Sequence, residues 1–173
     1  YKPKQLEQDT FNQEDKMIVL AGGCFWGVEK AFKALDGVVE TTVGYANGFT
    51  DNPTYEEVCR NETGYKEAVK VVYQPNVVSL STVIRAFFLC IDPRQRNRQC
   101  NDIGSHYQSG IYYVDEKDLD DIKPVYTNER MKYDRFFVEL EPLKNFYTAE
   151  EYHKDYLDKH PFGYFHITSY EME

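Results

Sequence analysis

Cys24 stands in the run Gly22-Gly23-Cys24-Phe25-Trp26-Gly27 and is the residue of this chain best set up for covalent chemistry. The residues before it, Met17 to Ala21, are an unbroken apolar run of the kind that forms a buried strand. Val28, Ala31, Phe32 and Leu35 after it are spaced as one face of an amphipathic helix. The cysteine therefore falls on a strand-to-helix turn, at or just before a helix N-terminus. Unpaired N–H groups and the helix dipole there favour a thiolate over a thiol. The flanking glycines allow a sharp turn and a close approach by substrate. Phe25 and Trp26, the latter the only tryptophan present, set two aromatic rings beside the sulfur. Trp26 is expected to stand open at the helix start as the wall of an apolar pocket. Taken alone, the position suits an inert buried cysteine equally well.

Glu67 offers the complementary chemistry. Glu67 to Tyr73 alternates, with Glu67, Val69, Val71 and Tyr73 on one face and Ala68, Lys70 and Val72 on the other. A carboxyl on the apolar face of a strand loses hydration, its pKa rises, and it can deliver a proton near neutrality. The competing reading is a glutamate at a strand end turned to solvent. Two polar loops add hydroxyl and carboxylate groups: Tyr55 in Asn52-Pro53-Thr54-Tyr55-Glu56-Glu57, and Asp102 and Tyr107 in the segment from Asn101 to Tyr107. A tyrosine donates a hydrogen bond while presenting an apolar ring. With fifteen tyrosines in the chain, composition alone does not single out these two.

The elements that must position these groups are legible in outline. A strand over 17–22 leads through the Cys24 turn into a helix ending near residue 35, where Asp36-Gly37 stops it. Val38 to Tyr45 is β-branched and forms a second strand. Ala46 to Gly64 is rich in Asn, Gly, Pro and Thr and is expected to be a long loop, a feature that in a compact domain is often functional. The Glu67 strand follows. Leu80, Val83, Ile84, Phe87 and Ile91 mark a second helix, stopped by Asp92-Pro93. A loop over Arg94 to Gln108 precedes a fourth strand at Ile111 to Val114. The order βαββαβ is the split-βαβ plait, an α+β (broadly α/β) two-layer fold with a mostly antiparallel sheet and both helices on one face. C-terminal additions are expected: a helix around 115–123 or later, a strand near Arg135 to Leu140, and a helix over about 148–160 in which Thr148 and Glu151 make a capping box. Residues 1–16 form a polar arm, and residues 17–173 a single domain.

The whole chain narrows the function classes. Its 173 residues suffice for one full-sized core, and 42% hydrophobic content excludes disorder. A formal net charge of −9 leaves no basic stripe for nucleic acid. The cluster Arg94, Arg96 and Arg98 is a solvated loop. No apolar run reaches the roughly 20 residues of a membrane span. The four cysteines lack both the spacing of a disulfide scaffold and that of a zinc site, so no metal and no cofactor are expected. A cytoplasmic monomer is expected. The chain begins with Tyr1, which leaves room for an upstream leader or domain.

Six motifs, in order, resemble those of the A-type peptide methionine sulfoxide reductases. They are Gly22 to Gly27, Val43-Gly44-Tyr45-Ala46-Asn47-Gly48, Asn52 to Cys59, Thr63 to Val69, Asn101 to Tyr107, and Ala149-Glu150-Glu151-Tyr152-His153. The resemblance covers about residues 17–165. It implies that Cys24 attacks the sulfoxide sulfur and becomes a sulfenic acid, that Glu67 protonates the sulfoxide oxygen, and that Tyr55 and Tyr107 hydrogen-bond it. It further implies that Phe25 and Trp26 wall the S-methyl pocket and that Asp102 lines the site. The implied substrates are oxidised proteins or peptides containing methionine S-sulfoxide, and the implied reductant is thioredoxin-like or another thiol. Aromatic faces suit a polarisable methyl-sulfur group, and a sulfenic acid is returned to thiol through a disulfide.

The chain departs from that pattern in places. Recycling cysteines of the family commonly follow a Gly-Tyr pair near the C-terminus, whereas Phe165 follows Gly163-Tyr164 here and no cysteine lies beyond Cys100. Cys100, in a loop two residues from Asp102, is the candidate resolving thiol, with an external thiol as the favoured route. Cys59 matches a family cysteine without a redox role, and Cys90 is expected in the core. Tyr65 and His106 replace the commoner His and Gln. Three other readings compete: a thiol hydrolase or acyltransferase pairing Cys24 with His106 or His153, a non-catalytic methionine-sulfoxide binder, and one domain of a longer fusion.

Overall fold

Successive side chains of the central strands point to two faces, and both faces are largely buried, so other elements pack on each. The structure, a computed structural model, describes residues 15–149 except residue 101. In chain order its elements are β1 (Lys16–Ala21), α1 (Phe25–Lys33), β2 (Val38–Ala46), α2 (Tyr55–Cys59), β3 (Lys66–Tyr73), α3 (Leu80–Cys90), β4 (Arg98–Gln99), β5 (Asp102–Ile103), β6 (Gly110–Tyr113), α4 (Leu119–Arg130), β7 (Glu139–Pro142) and β8 (Phe146–Thr148). Short 3₁₀ turns cover Ser105–Tyr107 and Glu116–Asp118.

The main sheet has the order β7-β6-β1-β3-β2-β8. Its inner four strands, β6-β1-β3-β2, are the antiparallel plait expected from βαββαβ, and only the β6–β7 pair is parallel. Ile18 and Leu20 of β1, Val43 and Tyr45 of β2, and Val69, Val71 and Tyr73 of β3 face one way. They form the large core with Phe25, Val28 and Phe32 of α1, Val83, Ile84 and Phe87 of α3, and Ile122 and Val125 of α4. The opposite face holds a smaller cluster of Val19, Ala21, Ala46, Ala68 and Tyr112, against which Leu143 and Phe146 pack. Both long amphipathic helices thus lie on one side, as the hydrophobic periods require.

Four expectations are corrected by the structure. The Ala46–Gly64 loop contains α2, whose start is held by Thr54: its hydroxyl accepts from Glu57 N at 3.2 Å while Glu57 Oε1 accepts from Thr54 N at 3.0 Å. The strand expected over Arg135 to Leu140 begins only at Glu139, because the preceding residues bond elsewhere. Phe137 N donates to Pro93 O at 2.8 Å, and Tyr126 Oη donates to Val138 O at 2.6 Å. Lys16, assigned to the arm, opens β1, and Thr148 ends β8 rather than capping a helix. Residues 150–160 of the expected helix, Glu151 and His153 included, and residues 1–14 of the arm lie outside the described residues.

Among the described residues no helix is long and apolar enough to cross a membrane, and none offers three His, Cys, Asp or Glu side chains placed to hold a metal ion. Arg94 and Arg96 sit in the α3–β4 connection, whereas Arg98 opens β4 and pairs with Ile103. Arg94 forks onto Asp92 through Nε and Nη2 at 2.9 and 3.0 Å, and Arg96 lies over Phe137.

Candidate active site

The turn between β1 and α1 places Cys24 at the N-cap of α1, with extended backbone (φ −63°, ψ 127°) and a side chain that is almost fully buried. Its carbonyl accepts from Gly27 N at 3.3 Å, which starts the helix immediately behind the sulfur. The dipole of α1 stabilises negative charge at this position. Gly23 makes the turn possible. Its φ is +86°, and a Cβ there would lie 2.7 Å from Cβ of Gln99, so residue type and packing both demand glycine.

Glu67 is brought beside this turn by sheet register. It lies opposite Tyr45 at the end of β3 and on the helix-facing side, as its alternation foretold, and it is fully buried. Its Oε1 accepts from Phe25 N at 3.3 Å, one residue from Cys24. Its Oε2 is buried without a hydrogen-bond partner among the described residues. Burial, chiefly, pushes the carboxyl up to about 8; the Phe25 N–H opposes the shift and the nearby Asp102 charge adds to it. The side chain is therefore a protonated acid at neutral pH, with an unshared O–H or oxygen to offer a ligand.

Tyr55 opens α2, Asp102 opens β5 and Tyr107 closes the 3₁₀ turn after it, and Tyr55 and Asp102 both lie within electrostatic reach of Tyr107. The Tyr107 phenol is held far above its ordinary range by burial first, and then by the charges that Glu67, Tyr55, Cys24 and Asp102 would carry. Those four groups come from the β1–α1 turn, α2, β3 and β5 and lie near enough for their charges to act on the phenol. Tyr107 thus stays a hydrogen-bond donor at any working pH. Tyr55, the first residue of α2, also hydrogen-bonds the half-buried Cys59, whose thiol is raised mainly by burial and, among other charges, by Glu67.

The aromatic residues divide their work. Trp26 is not open at the helix start as expected: it is 7% exposed, and its ring meets Phe25 edge-on with centroids 5.2 Å apart. Phe25 is fully enclosed and leans on Tyr45 at 5.9 Å, so it supports Trp26 from beneath. The cause is that α1 starts against the sheet, which draws both rings into the core.

None of the four cysteines is in a disulfide. Cys100 is exposed in the β4–β5 turn with φ +54°, and Arg98 Nη2 donates to its carbonyl at 2.6 Å. The neighbouring Gln99 is buried against Gly23, so this turn lies along the nucleophile loop. Cys90, expected in the core, is instead exposed on α3 and its thiol turns to Ala86 O at 3.3 Å, an i to i−4 contact on the solvent side of the helix. Sequence reasoning missed α2 and, with it, Asn61, the residue just beyond the helix. Asn61 Oδ1 accepts from Ser105 N at 2.9 Å and from Ser105 Oγ at 3.0 Å, and it lies 2.9 Å from His106 Nδ1. The Thr54-x-x-Glu57 capping pattern was the available signal.

A cysteine at a helix N-terminus, a buried acid that is neutral at pH 7 and two phenols within electrostatic reach of one another suit the reduction of a polarised sulfur–oxygen bond. The family model described as peptide methionine sulfoxide reductase matches residues 16–173. The chain belongs to the peptide methionine sulfoxide reductase family. It is 54% identical over 153 residues to the peptide methionine sulfoxide reductase MsrA of Clostridium acetobutylicum, covering 88% of this chain and 94% of that protein. It is likewise 54% identical to that of Alkaliphilus metalliredigens, covering 88% and 97%. Its fold superposes on reduced Mxr1 from Saccharomyces cerevisiae with a TM-score of 0.81, at 39% identity and 93% coverage of each chain. A structure of Mxr1 in complex with Trx2 matches with a TM-score of 0.59 at 31% identity, over 86% of this chain and 88% of that one. The activity of the reductase is the thiol-dependent reduction of methionine sulfoxide, that of a peptide-methionine (S)-S-oxide reductase. Hydrolase chemistry is not favoured by these relationships, and His106 presents its Nδ1 to Asn61.

Proposed function

We propose that Cys24 is the residue oxidised in this reaction and that Glu67, Tyr55 and Tyr107 activate the sulfoxide oxygen. The observation that carries this reading is the buried, protonated Glu67 hydrogen-bonded to the first backbone N–H after the cysteine. The Cys24 thiolate attacks the sulfoxide sulfur while Glu67 gives its proton to the oxygen, which is a poor leaving group until protonated. Tyr55 and Tyr107 donate hydrogen bonds as charge builds on that oxygen. Oxygen passes from the substrate to Cys24: the substrate leaves as the thioether and Cys24 becomes a sulfenic acid. The Phe25–Trp26 pair supplies the apolar surface for the S-methyl group, and Asp102 lines the site, its charge adding to the burial that keeps Glu67 protonated.

Two thiols complete the cycle. The first condenses with the sulfenic acid, releasing water and forming a disulfide with Cys24. The second attacks that disulfide and restores the Cys24 thiol. A thioredoxin-like dithiol protein suits this role, as the Mxr1–Trx2 complex illustrates for a relative. Four cysteines without a disulfide suit a reducing compartment such as the cytoplasm.

One equivalent of a methionine-sulfoxide peptide, with a sulfenic-acid trap and no reductant, tests the assignment. The trap is expected on Cys24 by peptide mapping, with one thioether product per enzyme. Cys24→Ser should give neither product nor adduct while keeping the fold. Product formation by that variant would remove Cys24 from the mechanism.

A further inference from the structure

We propose that His106 is a positioning residue for Tyr107, clasped by Asn61 so that the two phenols on separate loops face one substrate oxygen; this rests on the role given to Tyr107 above. Tyr55 and Tyr107 lie far apart in sequence, one opening α2 and the other closing the 3₁₀ turn after β5. The two segments are tied together by a single oxygen, Asn61 Oδ1. Asn61 follows the C-cap of α2 in the left-handed region, with φ +62°, and its N–H donates to Val58 O at 3.1 Å. Asparagine adopts that conformation readily and brings a side-chain acceptor with it.

The hydrogen-bond pattern decides the state of the histidine. Ser105 N–H can only donate, so the Asn61 atom 2.9 Å away is the amide oxygen rather than the nitrogen. His106 Nδ1 faces the same oxygen at 2.9 Å and must therefore carry the hydrogen. The ring is buried, and burial lowers its pKa to about 4, so it is neutral with a bare Nε2. An Nδ1–H enclosed to this degree requires its acceptor. The imidazole in turn stacks on the Tyr107 ring, with centroids 4.0 Å apart and planes 37° apart. Gly104 permits the arrangement: its φ is +148°, and a Cβ there would lie 2.6 Å from His106 Cε1. Asn61 thus orients His106, and His106 orients the plane of the Tyr107 ring.

A double-mutant cycle separates positioning from general support. His106→Phe keeps an aromatic face but removes the Nδ1 donor, and Asn61→Gly removes the acceptor while preserving the left-handed backbone. Each is expected to slow single-turnover reduction of a methionine-sulfoxide peptide at saturating substrate by about tenfold, within the range expected for small displacements of catalytic groups. His106→Asn, which retains a donor at the place of Nδ1, should recover part of the loss. In a Tyr107→Phe background, His106→Phe should cost less than twofold further, because its effect runs through the lost hydroxyl. Multiplying losses in the double variant would overturn the proposal, and so would an unchanged rate for His106→Phe beside an impaired Tyr107→Phe. An unimpaired Tyr107→Phe would instead overturn the assignment of Tyr107 itself, and the positioning role with it. Side-chain ¹⁵N spectra of the unmodified protein provide a readout independent of catalysis. They should show His106 as the neutral Nδ1–H form, and an Nε2–H form would sink the clasp.

Discussion

Glu67 concentrates the chemistry of the site in one proton. Its carboxyl is held at about 8 because burial disfavours its charge, so it is an acid below that pH and a spent one above it. Glu67→Gln should slow the reductive step by about 10²–10⁴-fold, the usual contribution of general acid catalysis. In the wild type the single-turnover rate should fall as pH rises through about 8, and that falling limb should vanish in the glutamine variant. Rapid-quench measurements across this range check both outcomes. The same proton affects stability. The folded pKa lies above the ordinary 4.5 of an unfolded glutamate, so the native state binds more protons between these values. Stability contributed by Glu67 is therefore fully present below about pH 4.5 and is lost progressively as pH rises toward 8. Denaturant titrations at several pH values should show this slope in the wild type and a shallower one in Glu67→Gln.

The β1–α1 connection is the element on which the nucleophile depends. Gly23 has a positive φ and sits against Gln99, which is itself buried and bonded through Nε2 to Asp92 O at 2.9 Å and to Ser109 Oγ at 3.2 Å. A methyl group at position 23 therefore meets a held side chain and a strained backbone together. Gly23→Ala should destabilise the protein by about 1–3 kcal/mol. It should lower the single-turnover rate by more than stability explains, because the displaced turn carries Cys24. Thermal melts and rates measured on the folded fraction distinguish the two effects. A variant with unaltered rate would show that the turn tolerates the shift without moving the sulfur.

At the scale of the molecule the open question is how the oxidised Cys24 is recycled. Cys59 is half-buried beside Tyr55, Cys90 is exposed on α3, and Cys100 is exposed on the turn that packs along the nucleophile loop. The favoured route is an external thiol. Cys100→Ser should keep turnover within about twofold of wild type with both dithiothreitol and thioredoxin, since a resolving residue within a catalytic cycle would show a far larger loss. Thiol counting after one equivalent of substrate is sharper. Loss of one thiol supports the external route, whereas loss of two with a mapped Cys24–Cys100 disulfide assigns the resolving role to Cys100.

Much of this protein was legible in one dimension because its strongest signals are local. The apolar run before Cys24, the helix period after it and the alternation through Glu67 depend only on residues a few positions apart. They determine the nucleophile turn, the βαββαβ order and the buried face on which Glu67 lies. Motif resemblance added the roles proposed for Tyr55, Asp102 and Tyr107. Where neighbours along the chain do not decide the outcome, the expectations failed. Cys90 belongs to a helix with an apolar face yet points away from it, and residues 135–138 favour strand but bond to Pro93 and Tyr126 instead. Trp26 is drawn inward because α1 starts against the sheet. Only the tertiary structure brings Glu67 to the first N–H beyond Cys24 and leaves its second oxygen unshared. Only it joins Asn61 to His106 across forty-five positions of sequence. The physical reason is common to these cases: desolvation and hydrogen-bond geometry depend on what the folded chain places around a group, and a sequence pattern specifies a face without specifying its neighbours.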